Sequence, residues 1–235
     1  MTADEVIAEL KSLGKESIKR VLVKHGAREP FFGVSVEDLK KIQKRVKIDH
    51  QLALDLYETG ISDAMYLAGL IVDDSRMTKK DLERWLKQAY WSMLCGSTVP
   101  AVAAGGRYGR ELALKWIESK QEKTAAAGWT TYSMLVSIKP DADLDLDELK
   151  QLLPRVERTI HQQPDRVRYS MNGFVISVGG YVKELTGLAL QTGEKIGTVS
   201  VDMGETACKV PFAVDYIHKM QQRGNIGKKR KSAKC

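Results

Sequence analysis

A three-residue phrase, aromatic-Ser-Met, occurs three times in this chain and constrains its fold more than any other feature. It stands at Trp91-Ser92-Met93, Tyr132-Ser133-Met134 and Tyr169-Ser170-Met171. The phrases begin at positions 91, 132 and 169, so they are 41 and 37 residues apart. Each opens an apolar stretch, and the sequence between them lacks the alternation typical of strands. This spacing predicts a helical repeat, with chance recurrence as the alternative.

Two-helix repeats of about 40 to 47 residues are typical of HEAT and armadillo arrays. Arrays of this kind bind their partners along a concave inner face. We therefore expect an all-α fold, an α-solenoid of HEAT-like helical pairs with a concave binding face. We expect one helical-repeat domain over residues 1–222, followed by a basic C-terminal tail over residues 223–235.

Helix signals support the all-α prediction independently of the phrase. Ser35 and Thr78 each precede an aspartate by three residues, a pattern that resembles a capping box. Asp49 and Ser62 are N-cap candidates ahead of two further apolar stretches. Pro100 predicts a kink. Besides the helices that begin after Ser35 and Thr78, we expect helices over residues 3–13, 15–25, 50–59, 62–73, 92–104, 107–119, 122–138, 146–162, 166–184, 186–198 and 205–223.

Composition indicates a soluble protein of a reducing compartment. Hydrophobic residues make up 43% of the chain, which is ample for a packed core. Cys95, Cys208 and Cys235 are an odd number without a CxxC pair, which argues against a disulfide framework. The N-terminus is amphipathic rather than a signal peptide. No apolar run reaches the roughly 20 residues of a membrane span. We expect a cytoplasmic location and no contact with membranes.

The net charge of +7 is concentrated at the C-terminus. Six basic residues and no acidic one follow Gln222, and removing those six from 37 leaves 31 basic against 30 acidic residues. A flexible basic tail binds polyanions without sequence preference. A tail that only solubilises the protein is the alternative, since net charge alone does not establish a DNA-binding groove.

The sequence offers little catalytic chemistry. It contains no GxxxxGK[ST], GxGxxG, HExxH or GxSxG pattern. The four histidines are scattered, and the solitary cysteines have no ligand spacing. We predict neither a metal nor a cofactor. Gly173, Gly179 and Gly180 lie within a predicted helix, where glycine costs about 1 kcal/mol. Close packing of helices or close approach to a ligand backbone could compensate that cost.

Aromatic residues near the predicted inner helices are the candidate ligand contacts. If they share the concave face, they form a row that could stack on bases. Ordinary core packing is the alternative reading of each ring. The row consists of Tyr90, Trp91, Trp129, Tyr132 and Phe174.

Several segments resemble the DNA alkylation repair family. They are Phe31-Phe32-Gly33-Val34 with the residues up to Leu39, Tyr90-Trp91 followed by Val99-Pro100, Asn172-Gly173-Phe174-Val175 leading to Tyr181-Val182-Lys183, the stretch 201–211, and the basic ending 227–231. Together they span most of the chain. The resemblance implies a curved stack of HEAT-like pairs. Active members of the family cleave the glycosidic bond of N3- or N7-alkylated purines in duplex DNA.

The resemblance also implies which residues would act. Active members place a carboxylate about one turn after a tryptophan, where it stabilises positive charge developing on the sugar. Trp91 matches that tryptophan, but Cys95 stands one turn on. Phe174 stands where a second tryptophan is expected, and residues 124–137 contain no arginine for the phosphates. The acids that could substitute from another repeat are Asp63, Asp73 and Asp202. The candidate phosphate contacts are Arg166, Arg168, Lys228, Lys229, Arg230 and Lys231.

Three functions therefore stay open at the level of sequence. The first is a glycosylase for alkylated purines with a displaced carboxylate. The second is a non-catalytic HEAT-repeat protein that binds nucleic acid. The third is a protein-binding scaffold whose basic tail is incidental. We expect a monomer that binds duplex DNA, in particular alkylated duplex DNA, and that acts without a cofactor.

Overall fold

The computed structural model describes residues 1–204, 206 and 208–234. Within them the chain forms thirteen α-helices and no β-strand, so the all-α prediction is confirmed. The helices are α1 (Ala3–Leu13), α2 (Glu16–Lys24), α3 (Val36–Val46), α4 (His50–Glu58), α5 (Ser62–Ile71), α6 (Lys79–Gln88), α7 (Val99–Gly105), α8 (Gly109–Ile117), α9 (Glu122–Ile138), α10 (Leu146–Thr159), α11 (Asp165–Tyr181), α12 (Thr186–Ile196) and α13 (Ala213–Gln222).

The chain divides into two compact units. The first contains residues 1–108 together with 204, 206 and 234, and therefore helices α1 to α7. Every residue of α5 is buried, and α1, α3 and α4 pack against it. Tyr57 of α4 stacks on Trp85 of α6, with 3.9 Å between the ring centroids. The core of this unit is thus built around α5.

The second unit, residues 109–203 and 208–233, is built from helical pairs. Helix α11 packs against α9 on one side and α13 on the other, while α8, α10 and α12 lie behind them. We call α9, α11 and α13 the inner layer. Gly128 allows α9 to approach α8 closely, because a Cβ atom there would lie 2.5 Å from the backbone nitrogen of Ile117. Helix α9 has no exposed residue between positions 123 and 138, so beyond its first residue the exposed side chains of the inner layer belong to α11 and α13.

The helical glycines show where the inner layer is closely packed and where it is open. A Cβ at Gly179 would lie 2.5 Å from Cδ1 of Ile217, and one at Gly180 would lie 2.5 Å from Cε of Met220. These two glycines confirm the expected close packing of helices. Gly173 differs, because a Cβ there would meet nothing within 4 Å. Gly173 therefore lies on the open face of α11.

Two predicted helices differ from the structure at their beginnings. The helix predicted over 92–104 contains a π-helical turn at Leu94–Thr98, where the amide of Val99 donates to the carbonyl of Leu94. Pro100 has no N–H to continue the α-helical ladder, which favours this irregularity. The last helix begins at Ala213 rather than at 205, and Pro211 disfavours a helical conformation for the residue before it. Residues 205 and 207 of that prediction lie outside the described residues.

The repeated phrase does not occupy equivalent positions in the fold. Trp91 lies just before the π-helical turn, Tyr132 lies in the second half of α9, and Tyr169 lies in the first turns of α11. The spacing of the phrase thus predicted the correct class of architecture, although its three copies are not structural counterparts.

Candidate nucleic-acid interface

Tyr90 and Trp91, which the sequence proposes as stacking residues, are held in the first unit by hydrogen bonds. The indole N–H of Trp91 donates to Oγ of Ser62 at 2.8 Å, and Trp91 is only 5% exposed. The hydroxyl of Tyr90 lies 3.0 Å from the carbonyl of Pro30 and 3.1 Å from that of Gly60. Burial raises the pKa of Tyr90. Trp91 therefore presents almost no ring surface to a ligand.

Cys95 occupies the position one turn after Trp91, inside the π-helical turn. Its amide donates to the carbonyl of Trp91 at 3.1 Å. A neutral thiol supplies no fixed negative charge, so this position cannot stabilise a sugar cation as a carboxylate does. Among the described residues, neither Cys95 nor Cys208 takes part in a disulfide.

The three candidate acids have other partners. Both carboxylate oxygens of the buried Asp63 accept backbone amides, from Phe32 at 2.6 Å and from Val34 at 2.8 Å. Asp73 accepts the amide and the hydroxyl of Ser75, and these hydrogen bonds lower the pKa of Asp73. Asp202 belongs to the second unit, where its amide contacts the carboxylate of Asp165 and helps to lower the pKa of that group. The contacts of Asp63 and Asp73 organise backbone.

The other three rings of the proposed row, Trp129, Tyr132 and Phe174, lie in the core of the second unit. They are 2%, 1% and 0% exposed, respectively. Phe174 makes edge contacts with Trp129 and Tyr132, with 5.2 Å and 5.7 Å between ring centroids. The hydroxyl of Tyr132 donates to the carboxylate of Glu148, and burial is the main cause that raises the pKa of Tyr132. Their predicted stacking role is therefore corrected, because a fully buried ring has no face open to a base.

Different aromatic residues are exposed in the second unit, and the sequence reading missed them. Tyr169 of α11 is 40% exposed, while Phe212 and Tyr216 at the start of α13 are 39% and 49% exposed. Arg166, also exposed, precedes Tyr169 by three residues, and Gly173 follows it by four. This i, i+3, i+7 spacing puts all three on one face of α11. The same spacing was readable in the sequence, as a break in an otherwise apolar helix.

Helix α13 continues this pattern. Phe212, Tyr216, Lys219 and Arg223 follow one another at intervals of four, three and four residues, and all are exposed. They therefore form one stripe on α13, aromatic at its beginning and basic at its end. No ion pair involves Lys219 or Arg223 within the described part of the chain.

The two stripes lie on the same side of the second unit. The side-chain amide of Asn172 donates to the carbonyl of Pro211 at 2.8 Å, and Gly179 approaches Ile217, so α11 and α13 run side by side in parallel. Helix α12 packs against both helices. Its Ala189 lies close to Gly179 of α11, and its Gly193 lies close to Val214 of α13. Because α11 and α13 lie side by side and the residues of both stripes are exposed, we treat the two stripes as one surface. We call it the aromatic-basic face: Arg166, Tyr169, Phe212, Tyr216, Lys219 and Arg223.

The predicted phosphate contacts separate into two groups. Arg168 pairs with Asp165, and this partner lowers the pKa of the carboxyl, so Arg168 is engaged within its own helix. Lys229 pairs with Asp141. The side chains of Arg166, Lys228, Arg230 and Lys231 are exposed. Only the second group is placed to meet a phosphate directly.

A search of the described residues finds no group of three or more His, Cys, Asp or Glu side chains that could hold a metal ion. None of the helices in this part of the chain has the length and apolar character needed to cross a membrane.

Comparisons with known proteins place these features in a family. A sequence model described as DNA alkylation repair enzyme matches residues 6–214. The chain is 34% identical to uncharacterized protein Lin0241 of Listeria innocua, over 96% of this chain and 100% of the relative. It is also 34% identical to uncharacterized protein Lmo0209 of Listeria monocytogenes, over 95% of this chain and 99% of that protein.

One solved structure is similar over its whole length. It is reported as "a new family of proteins related to the HEAT-like repeat DNA glycosylases with affinity for branched DNA structures". The identity is 34%, the TM-score is 0.92, and 100% of both chains is covered. This likeness confirms the predicted HEAT-like helical pairs.

Proposed function

This chain belongs to the family of DNA alkylation repair enzymes, and on that premise we propose that it binds branched DNA without cleaving the glycosidic bonds of its bases. The aromatic-basic face of the second unit is the proposed contact surface. Binding depends on phosphate contacts by its cations and on stacking of its exposed rings against base faces that a branch point leaves uncovered.

The observation that carries the proposal is that exposed rings and exposed cations lie together on α11 and on α13. Tyr169 lies one turn from Arg166, and Tyr216 lies one turn from Lys219. Cations contact phosphates of any sequence, whereas aromatic rings stack on bases that are accessible. In a regular duplex the base faces are covered by their neighbours. A branch point exposes some of them, so this surface favours branched over linear DNA.

The first unit argues against cleavage. Removing one electrostatic stabiliser of a transition state costs about 10²–10³ in rate. Cys95 stands where active members have the carboxylate, and Asp63 is already engaged by two backbone amides. An acid that gave up those amides to reach a sugar would leave two buried donors unsatisfied. The reported affinity of the similar solved protein for branched DNA supports the binding part of the proposal.

The test compares a labelled four-way junction with a linear duplex of the same arm sequence, by fluorescence anisotropy at several salt concentrations. We expect tighter binding to the junction. Tyr169→Ala and Tyr216→Ala should each weaken junction binding about 5-fold to 100-fold, from the loss of one stacked base. Ile48→Ala is the matched control, because Ile48 is an exposed apolar residue of the first unit. Equal binding of junction and duplex, unaffected by the tyrosine variants, would contradict the proposal.

The absence of cleavage has its own assay. Purified protein is incubated with methylated duplex DNA, and released 7-methylguanine and 3-methyladenine are measured. We expect no release above a heat-inactivated control. Release by the wild type, abolished in an Asp63→Asn variant that keeps the wild-type stability, would instead establish a glycosylase with a displaced carboxylate. The monomeric state and the cytoplasmic location stay predictions from the sequence.

A further inference from the structure

The basic C-terminal segment is folded against the second unit. Helix α13 ends at Gln222, Gly224 follows its cap residue with a positive φ of 61°, and the amide of Asn225 donates to the carbonyl of Met220. This is the bonding pattern of a Schellman cap. Ile226 then packs against the core of the second unit. We call residues 225–233 the C-terminal strap.

The strap bonds to the C-terminal ends of two inner-layer helices. The amide of Gly227 donates to the carbonyl of Gly180 at 2.9 Å, near the end of α11. The amide of Arg230 donates to the carbonyl of Ser137 at 2.8 Å, near the end of α9. The last carbonyls of a helix have no partner within it, and they carry the negative end of its dipole. The strap supplies donors where the helices lack them.

Lys229 holds the strap against the second unit. Its ammonium donates to the carbonyl of Val136 at 2.9 Å and lies 2.7 Å from Oδ1 of Asp141. Its side chain is accordingly only 18% exposed. Lys229 is therefore an anchor, because its charge is used within the second unit.

The remaining cations of the strap point outward. Lys228, Arg230 and Lys231 are exposed, and no ion pair involves them within the described residues. They stand where the ends of α9 and α11 would otherwise present negative partial charges. The strap therefore covers the negative C-terminal ends of α9 and α11 and places three exposed cations there.

We propose that the strap is a fixed rail for the DNA phosphate backbone, with Lys228, Arg230 and Lys231 as contacts and Lys229 as the positioning residue. The inference rests on the proposed function and extends it to a second surface beside the aromatic-basic face. A flexible tail would bind through its total charge alone. A fixed rail binds because its cations are held at defined positions, so its affinity for DNA depends on the Lys229 anchor as well as on the total charge.

Asp141→Lys separates the two descriptions, because they predict opposite signs. The substitution makes the protein more positive by two charges and repels Lys229 from its site. Binding through total charge predicts tighter association with DNA. A fixed rail predicts weaker association, by about 5-fold, because the contacts lose their positions. Asp143→Lys is the matched control: it makes the same charge change two residues away on an exposed side chain outside the strap.

The measurements are anisotropy with a labelled four-way junction and amide hydrogen exchange of the free protein. We expect Asp141→Lys to bind more weakly than Asp143→Lys and to exchange the amides of Gly227 and Arg230 faster. The triple variant Lys228→Gln, Arg230→Gln, Lys231→Gln should keep slow exchange but lower the slope of log K against log salt by about 2 to 3.

Two outcomes would overturn the rail and are distinguishable. If the wild type binds the junction and both aspartate variants bind more tightly to the same extent, the rail is wrong while the proposed function stands. If the wild type binds neither junction nor duplex at 50 mM salt, the proposed function fails, and the rail fails with it.

Discussion

Asp63→Asn tests whether the most plausible substitute acid is instead a structural residue. Asp63 is buried, and its two oxygens accept the amides of Phe32 and Val34, which lie in the loop ahead of α3. Asparagine keeps the size of the side chain and one oxygen acceptor. Its amide group, however, would face a backbone N–H. Two donors would then point at each other where the native protein has a hydrogen bond.

The magnitude follows from the number and kind of bonds. Hydrogen bonds to a charged group contribute about 1.5–3 kcal/mol each, and the pair therefore about 3–6 kcal/mol. Asparagine retains part of one bond, so we expect a loss of about 2–4 kcal/mol in the free energy of unfolding. With a urea dependence of about 2 kcal/mol per molar, the midpoint should fall by about 1–2 M.

The assay is urea unfolding followed by circular dichroism and tryptophan fluorescence. Asp73→Asn serves as control, because Asp73 caps a short turn at the surface and asparagine caps equally well. We expect this control to change stability by less than about 0.5 kcal/mol. If Asp63→Asn is as stable as Asp73→Asn and a base-release activity of the wild type disappears, the structural assignment of Asp63 is refuted.

Three further predictions concern packing and pH. Gly128→Ala should destabilise the protein by about 1–3 kcal/mol, because the new Cβ would meet the backbone of Ile117. Gly173→Ala should stabilise it by about 0.5–1 kcal/mol, because the new Cβ would meet nothing within 4 Å. Thermal unfolding compares the two variants. Trp91→Ala should cost about 3–5 kcal/mol, because the ring is buried; an unchanged melting temperature would contradict this. The raised pKa of Tyr132 means that the unfolded chain ionises first, so stability should fall as pH rises above about 10, and Tyr132→Phe should reduce that fall in alkaline melts.

Local sequence patterns determined the helices. Thr78 with Asp81 forms the predicted capping box of α6, and Ser35 caps α3. These signals are short-range, because a cap bonds to an amide three residues away. The sequence also determined which chemistry is missing, since Cys95 cannot provide the carboxylate whatever the fold places around it.

The boundaries and the use of surfaces depended on longer-range contacts. The basic run 227–231 reads as uniform, yet Lys229 is turned inward and its neighbours outward. That alternation follows from the carbonyls of α9 and α11, which are far away in the sequence. Similarly, nothing within five residues of Asp63 shows that its partners are amides about 30 positions earlier.

The clearest case is a single phrase with two outcomes. Tyr132 and Tyr169 both stand before Ser-Met, but Tyr132 is 1% exposed and Tyr169 is 40% exposed. Helices α9 and α11 are apolar on more than one face, so periodicity alone does not specify which side meets solvent. The sequence by itself determined that these segments are helices rich in aromatic residues. Only the packing of α10, α12 and α13 around them decided which rings fill the core and which are left for a ligand.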